Sequence, residues 1–552
     1  MRSDDQDARW ESLMAQSHQK VEPTGPAVVE PAPPEVADPG GGTGSPIDGP
    51  STLSRLIGFI APGTRSPGVL SVSAEAPLSP QPRDEIDLLF LERRHDDVIE
   101  ALLNKGRLEL PRHAWQFSRS CLETGQADLL LASLPGIAPR ALQHRGFRTQ
   151  HFLALISMDR IEEARALVRQ SLLVGLYDLG MLLKVIGEYR RLGDPELVAT
   201  LVRIVYRHWS PELTWKVRGV YLRNILLNLG DLDTLFLEAG PRPTARLTAD
   251  DHFLLCNFAL RAGSPGEALA HFNDGLAVHG LSPVALCDPD RHFSAHNISA
   301  SPSGIQLGPL TTVAMPTYNA ADTIIPALRG LSAQSYRNLE ILVVDDGSSD
   351  ATAALVRRYA AEVDSRVRFI AMGRNAGPYV ARNRALSESR GTYFTCNDAD
   401  DWSHPDKLSI LIQALEGEGS HVAVQSRLVR LNPDNGIKPK QQGYAHNDLS
   451  STLFRRVPVV GRIGFFEPAR FGADSEYAAR LQIAFGETSI RSVPKPLLVA
   501  HWADNTLSSA SSTGITDGGL FSPRRAAYRH GYRLRLARGE GGFRDRDAAG
   551  IE

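Results

Sequence analysis

The chain has 552 residues, 42% of them apolar, and a formal charge of −3. That length exceeds what one hydrophobic core organises, so two or more domains are expected. The near-neutral balance excludes a general electrostatic affinity for nucleic acid or anionic membrane, leaving only local charge to meet a partner. The four cysteines, Cys121, Cys256, Cys287 and Cys396, share no metal-ligand or disulfide-framework spacing, which fits a reducing, cytoplasmic setting.

The first predicted region is a leader. Residues 1–82, with runs such as PTGPAVVEPAPPEVADPGGGTGSP, carry too little apolar surface to offset the entropy of ordering and are expected to be disordered. The start MRSDDQDARW is charged where a signal peptide needs an apolar stretch, and LIGFIAP is too short to span a bilayer. No transmembrane segment is expected.

Residues 83–300 show apolar residues at helical spacing and no convincing period of two. Amphipathic helices are predicted at HDDVIEALL, GQADLLLASL, MDRIEEARALV, GDPELVATLV, GDLDTLFLEAG and GSPGEALAHF. Their starts recur roughly every 30 to 37 residues, a spacing that resembles tetratricopeptide repeats. Stacked helical hairpins would leave a concave face for a protein partner; an irregular helical bundle is the alternative.

Over residues 305–515 the pattern changes to β-rich runs separated by helical stretches. TTVAMPTYN, LEILVVDDGSSD, RVRFIAM and GTYFTCNDADD alternate with DATAALVRRYAAEV and YVARNRALSESR. The expectation is a multidomain chain, an α-helical repeat-like domain followed by an α/β domain with a mostly parallel sheet. Ligands bind beyond the carboxyl ends of the strands in such sheets, where PTYN, DDGSSD, NAG and NDADD all fall.

The ordered set MPTYNAADTIIPALRGLSAQSYRNLEILVVDDGSSD, RNAGPYVARNRAL, NDADDW and GADSEYAARL resembles the family 2 glycosyltransferases with the GT-A nucleotide-sugar fold. The resemblance covers about 200 residues and implies transfer of a sugar from a nucleotide diphosphate sugar. Expelling a diphosphate calls for charge stabilisation by a hard divalent ion, Mn²⁺ or Mg²⁺, on oxygen ligands. Asp398 and Asp400 stand two apart at a strand end, so their side chains can share one side. By resemblance Asp400 is the direct metal ligand, Asp398 serves the ribose or the metal, and Asp401 orients the loop; an acidic turn capping the next helix is the alternative. Some relatives place a histidine where His501 stands, on the metal or the diphosphate.

The resemblance puts Asp346 on the base, typically uracil, with Thr317 and Tyr318 lining that pocket. Asp350 is a helix-capping residue by its DGSSD context. Asn375, Gly377, Arg382 and Asn383 follow the third strand, and Arg382 is a candidate phosphate contact. In FGADSEYAARL, Asp474 is the expected base that takes the acceptor hydroxyl's proton during inversion, with Glu476 as competitor and helix capping as the bland alternative. Relatives carry Glu-Asp here, whereas this chain has Ala473-Asp474. Trp402 and Trp502 are candidates for a sugar platform or for core packing.

Residues 516–552 contain SPRRAAYRHGYRLRLARG and are expected to be a basic flexible tail, with peripheral contact to an anionic membrane as the functional alternative. The acceptor implied is a glycan or a lipid-linked glycan. Two other functions compete: a sugar nucleotidyltransferase, disfavoured because PTYNAAD has no Lys or Arg, and a scaffold with a catalytically silent transferase-like domain, disfavoured because Asp346, Asp400 and Asp474 are intact.

Overall fold

The computed structural model describes residues 84–214, 216–230, 247–432 and 436–503, continuing to 550 apart from 504, 505, 507–509, 511, 517, 541, 546 and 548. The leader expected over 1–82 and the helix expected at GDLDTLFLEAG lie outside the described residues.

The other five amphipathic segments are helices: His95–Lys105, Ala127–Ser133, Ile161–Leu173, Pro195–Trp209 and Pro265–Val278. Their ends follow from local chemistry. His95–Lys105 has Asp96 and Asp97 in its first turn and Lys105 in its last, complementing the helix dipole, and closes on Gly106 at φ 61°. It buries Val98, Ile99 and Leu102. Helix lengths vary widely: Pro139–Leu142 and Tyr189–Leu192 have four residues, Pro195–Trp209 has 15, and Lys216–Leu222 is π-helical. Residues 83–300 are not wholly helical as expected, because their last part forms an antiparallel hairpin of β1 (Val284–Leu286) and β2 (Ile298–Ala300). Strands of three residues are too short to show a period of two.

The second half is built on a sheet in which β5 (Val367–Ala371), β4 (Leu339–Asp345), β3 (Thr311–Thr317), β6 (Tyr393–Cys396), β11 (Leu453–Arg455), β8 (Ala423–Asn432), β12 (Ile490–His501) and β7 (Trp402–Ser403) lie side by side in that order. Its parallel part comprises β3 (Thr311–Thr317), β4 (Leu339–Asp345), β5 (Val367–Ala371) and β6 (Tyr393–Cys396). Helices Ile324–Ser332, Thr352–Glu362 and Pro378–Glu388 cross over between them. Every residue of β3 is buried, as both faces of such a strand are covered. Pro316 lacks an N–H, yet it sits beyond Ala314↔Cys396, the last β3–β6 pairing, where β3 has lost that neighbour.

The sheet is mixed, not purely parallel, because antiparallel strands join the parallel run. The remaining strands are β7 (Trp402–Ser403), β8 (Ala423–Asn432), β9 (Gly436–Ile437), β10 (His446–Asn447), β11 (Leu453–Arg455) and β12 (Ile490–His501). β11 runs antiparallel to both β6 and β8, β9 and β10 are antiparallel to β8, and β12 is parallel to β8 but antiparallel to β7. Short connections permit only antiparallel neighbours, whereas each parallel step needs a crossover.

The two halves share buried surface. Asn257 Nδ2, on helix Ala249–Arg261, donates to the Ile437 carbonyl at 2.8 Å, and the Ile437 N–H returns a bond to Asn257 Oδ1 at 2.7 Å. The Tyr444 N–H donates to Asp250 Oδ1 at 2.8 Å, and its hydroxyl donates to Asn224 Oδ1 at 3.0 Å. One hydrophobic cluster runs from Ile86 through Phe253 to Val499. A Cβ on Gly436 would stand 2.4 Å from Asn257 Oδ1, so this contact requires glycine.

The expected flexible tail is largely a packed helix, Pro523–Ala537, capped by the Ser522 side chain with Pro523 at its first position. His530 meets Asp96 at 2.8 Å and Arg529 meets Glu123 at 3.6 Å, both on the first half, while Arg535 and Tyr528 bind Glu467 at 2.7 and 2.8 Å. The segment has no acid of its own, so its cations looked unpaired in sequence; their partners are distant in the chain. Among the described residues no helix is long and apolar enough to cross a membrane.

Burial makes this fold acid-sensitive. It pushes His95 and His151 down to about 4 and His446 down to about 3 from an ordinary 6.5. Below pH 6.5 the unfolded chain takes up protons that the folded chain refuses, so stability present above that pH is lost as pH falls toward 4. The thermal midpoint, followed by circular dichroism, falls by roughly 5 °C or more between about pH 7 and about pH 4.5. A flat midpoint across that window counts against these burials.

Candidate active site

Chain progress reverses at β3: β4 and β5 lie on one side of it and β6 on the other. This switch point opens a crevice at the carboxyl ends of β3 and β6. Thr317 ends β3, Asp345 ends β4, and Asp398, Asp400 and Asp401 follow β6.

On the β3–β4 side the loops are stitched together. Asn319, at φ 48°, accepts from the Ser349 N–H at 2.9 Å, and its own N–H donates to Ser348 Oγ at 2.9 Å. Asp350 accepts from the Thr352 and Ala321 N–H groups, both at 3.0 Å, closing the turn before helix Thr352–Glu362. Asp346 is buried, and each of its oxygens accepts a backbone N–H, from Ala376 and Gly377, at 2.7 Å. It therefore ties the NAG loop to β4, and a base would have to use its remaining lone pairs. Thr317 Oγ1 is buried without a hydrogen-bond partner, and Tyr318 is 51% exposed beside it in the chain.

The acidic loop is held open by its own polar frame. Asn397 Nδ2 donates to the Asp398 and Asp401 carbonyls at 2.9 and 3.1 Å, and Ser403 Oγ donates to Asn397 Oδ1 at 2.6 Å. Asp401 Oδ1 accepts the His501 N–H at 3.0 Å, fastening the loop to the end of β12. Asp398 accepts from Arg382 Nη2 at 2.6 Å. Burial first, then Asp398, pushes Asp400 up to about 6. Burial also raises Asp401, with Asp400 and Asp398 adding to the shift.

Two observations fit a divalent cation with a diphosphate here. The carboxylates repel one another in a buried loop, which a double positive charge among their oxygens would reverse. Arg382 is 4% exposed, and its Nε and Nη1 are buried with no acceptor; phosphate oxygens would satisfy such donors. The expected ligand set does not converge as a whole. Among the described residues, Asp398, Asp400 and His501 do not bring three donor atoms within 4.8 Å of one another. The fit is to the two carboxylates, with the remaining ligands from phosphate and water.

Helix Ala473–Phe485 brings the last carboxylates. Its cap is Gly472 at φ 76° with no side-chain cap bond, so Asp474 is a second-position residue rather than the cap. Asp474 is half-buried, faces Tyr379 and Arg382, and lines a pocket with Cys396, Phe454, Phe466 and Tyr477. Glu476 has another task. It is 2% exposed, pairs with Arg480 at 2.7 and 2.9 Å, and Arg480 in turn donates to the Phe465 carbonyl at 2.7 Å. Asn383 binds the Phe466 backbone at both its carbonyl and its N–H. Trp402 and Trp502 are each 4% exposed, so neither offers a free sugar platform; Trp502 is covered by Arg190 and Lys438, each 4.3 Å from the ring centre.

Several contributors escaped sequence reasoning. His296, from the β1–β2 hairpin, donates to the Asp400 carbonyl at 2.9 Å and lies 4.6 Å from the His501 ring. Lys407 is buried below the acidic loop, 3.8 Å from Asp448 and donating to Ser451 Oγ at 2.7 Å. Arg430 and Arg525 carry positive charge toward Asp400 and Asp474 respectively. Lys407 stands shortly after NDADDW in the chain, whereas the others come from distant segments.

Residues 312–477 match the model of the glycosyl transferase family 2. The chain is 41% identical over 126 residues to the succinoglycan biosynthesis protein ExoO of Rhizobium meliloti (strain 1021), covering 23% of this chain and 35% of that one. It is 33% identical over 196 residues to the amylovoran biosynthesis glycosyltransferase AmsB of Erwinia amylovora, covering 33% and 60%. The matches thus span about a third to three fifths of those relatives. Among solved structures, the mannosyltransferase PcManGT of Pyrobaculum calidifontis, in complex with GDP-Man and Mn²⁺, aligns at TM-score 0.30 and 20% identity over 51% of this chain and 81% of that one.

Proposed function

We propose that residues 305–515 transfer a sugar, with inversion, from a nucleotide diphosphate sugar to a glycan or lipid-linked acceptor in polysaccharide or glycoconjugate assembly. The donor proposed is a UDP-sugar, and the cofactor Mn²⁺ or Mg²⁺. The observation that carries this reading is the convergence of the Asp398–Asp400 loop, the buried Arg382 with two unsatisfied donors, and Asp474 at one opening of the sheet. The family match and the relatives named for polysaccharide biosynthesis support it.

When bound, the cation would neutralise the departing diphosphate. Arg382 holds Asp398 in place and presents its free N–H groups to the phosphates. Thr317 and Tyr318 line the base, with Asp346 reading its edge while anchoring the Ala376–Gly377 backbone. Asp474 accepts the proton of the acceptor hydroxyl, its orientation set by the rigid first turn of its helix. His501, its pKa lowered by burial, fastens the acidic loop through its backbone N–H on Asp401. The first half, with His296 against the Asp400 carbonyl, is proposed as a tetratricopeptide-like scaffold that also braces the metal loop.

A thermal-shift comparison of nucleotide diphosphates with and without Mn²⁺ tests the donor pocket. A ligand at about 100 times its Kd stabilises by about 2.7 kcal/mol, so UDP with Mn²⁺ gives the largest rise in midpoint. A larger rise with GDP overturns the base assignment, and no rise with any nucleotide overturns the reading as a transferase.

A further inference from the structure

We propose that His252, His271 and Asp274 form a zinc site in the first half of the chain, separate from the transferase crevice. His252 lies on helix Ala249–Arg261 and His271 and Asp274 on helix Pro265–Val278, the two arms of a helical hairpin. His271 and Asp274 are three apart, so they share a helix face, and that face looks at His252. The His252 and His271 rings are 6.0 Å apart between centres.

The separations are those of metal ligands. Asp274 Oδ2 is 3.6 Å from His252 Nδ1 and 3.9 Å from His271 Nδ1, and the three donor atoms all lie within 4.8 Å of one another. A hydrogen bond would hold N and O at about 2.7–3.2 Å. Ligands bonded tetrahedrally at about 2.0–2.1 Å stand about 3.3–3.4 Å apart, so the two nitrogen–oxygen separations exceed that spacing by roughly 0.2 to 0.6 Å, which small side-chain rotations would close. One carboxylate oxygen facing two imidazole nitrogens at these distances brackets a cation better than it serves either nitrogen as an acceptor.

The donor set selects the ion. Two imidazoles and one carboxylate suit Zn²⁺, whereas Mg²⁺ and Mn²⁺ prefer oxygen. Both histidines are 6% exposed, but the Asp274 side chain is 49% exposed, so the ion has an entry path and a fourth position open to water. The consequence is mechanical. Helix Ala249–Arg261 carries Asp250 and Asn257, which hold the Tyr444 and Ile437 backbone of the transferase half. Zinc would pin the second arm of the hairpin to the helix that makes that contact.

The full chain, made without a polyhistidine tag and stripped with chelator, is dialysed against Zn²⁺ with Mg²⁺ in excess to fill oxygen-rich sites. The expected result is one zinc per chain, a raised thermal midpoint, and with Co²⁺ the visible absorption of a low-coordinate nitrogen-ligated ion. Asp274→Asn, at a half-exposed position that folding tolerates, and His271→Gln each weaken zinc binding by at least about tenfold, whereas Asp400→Asn retains it. Absence of bound zinc, unchanged affinity in Asp274→Asn, or loss of zinc in Asp400→Asn each overturns the proposal.

Discussion

Asp474→Asn lowers turnover by roughly 10²- to 10⁴-fold, the usual contribution of a positioned general base, while donor affinity stays nearly intact. Asp474 is half-exposed at the pocket and is not the cap of its helix, so the amide removes a proton acceptor without removing a structural bond. Glu476→Gln behaves differently. It leaves Arg480, 1% exposed, without its charge partner, and breaking such a pair costs about 3–5 kcal/mol. That variant therefore loses thermal stability, with activity falling in proportion to the folded fraction. Donor calorimetry, nucleotide release and melting curves on both variants separate the cases. A normal rate for Asp474→Asn with a stable but inactive Glu476→Gln would move the base by two residues.

Removing residues 84–300 produces an insoluble or molten transferase fragment. The strand–helix pattern suggests an autonomous domain with a boundary near 305. Yet the deletion strips Asn257 from the Ile437 backbone and Asp250 and Asn224 from Tyr444, and it uncovers a ring that is now 0% exposed. Each buried polar group so orphaned costs about 1–3 kcal/mol if it stays buried, and the uncovered apolar surface favours aggregation. It also removes His296 from the Asp400 carbonyl. Expression of 305–552, read by solubility and by nucleotide-induced thermal shift, checks this. A soluble fragment that binds UDP as the full chain does shows that the halves are independent.

Much of the architecture was legible because it rests on local rules. Apolar spacing and capping chemistry marked the helices His95–Lys105 and Pro265–Val278. Continuous apolar runs followed by turn residues marked β3 and β4 with their carboxyl ends. The direction of the later strands was not legible, since β8, β11 and β12 read alike whichever way they pair. The hairpin of β1 and β2 was too short to register.

At the candidate site, the sequence by itself determined which residues stand where: the acidic loop Asp398–Asp401 after β6, Arg382 after the third parallel strand, and Asp474 on a helix start. Residue type and order along one strand–loop–helix unit carry that information. Tertiary structure alone decided how each group is employed. Asp346 is committed to two backbone N–H groups, Glu476 to Arg480, Trp502 to Arg190 and Lys438, and the basic C-terminal helix to Asp96, Glu123 and Glu467. The reason is physical: whether a charge is free to act depends on its partner and its burial, and both are supplied here by segments tens to hundreds of residues away, across contacts that no local pattern encodes.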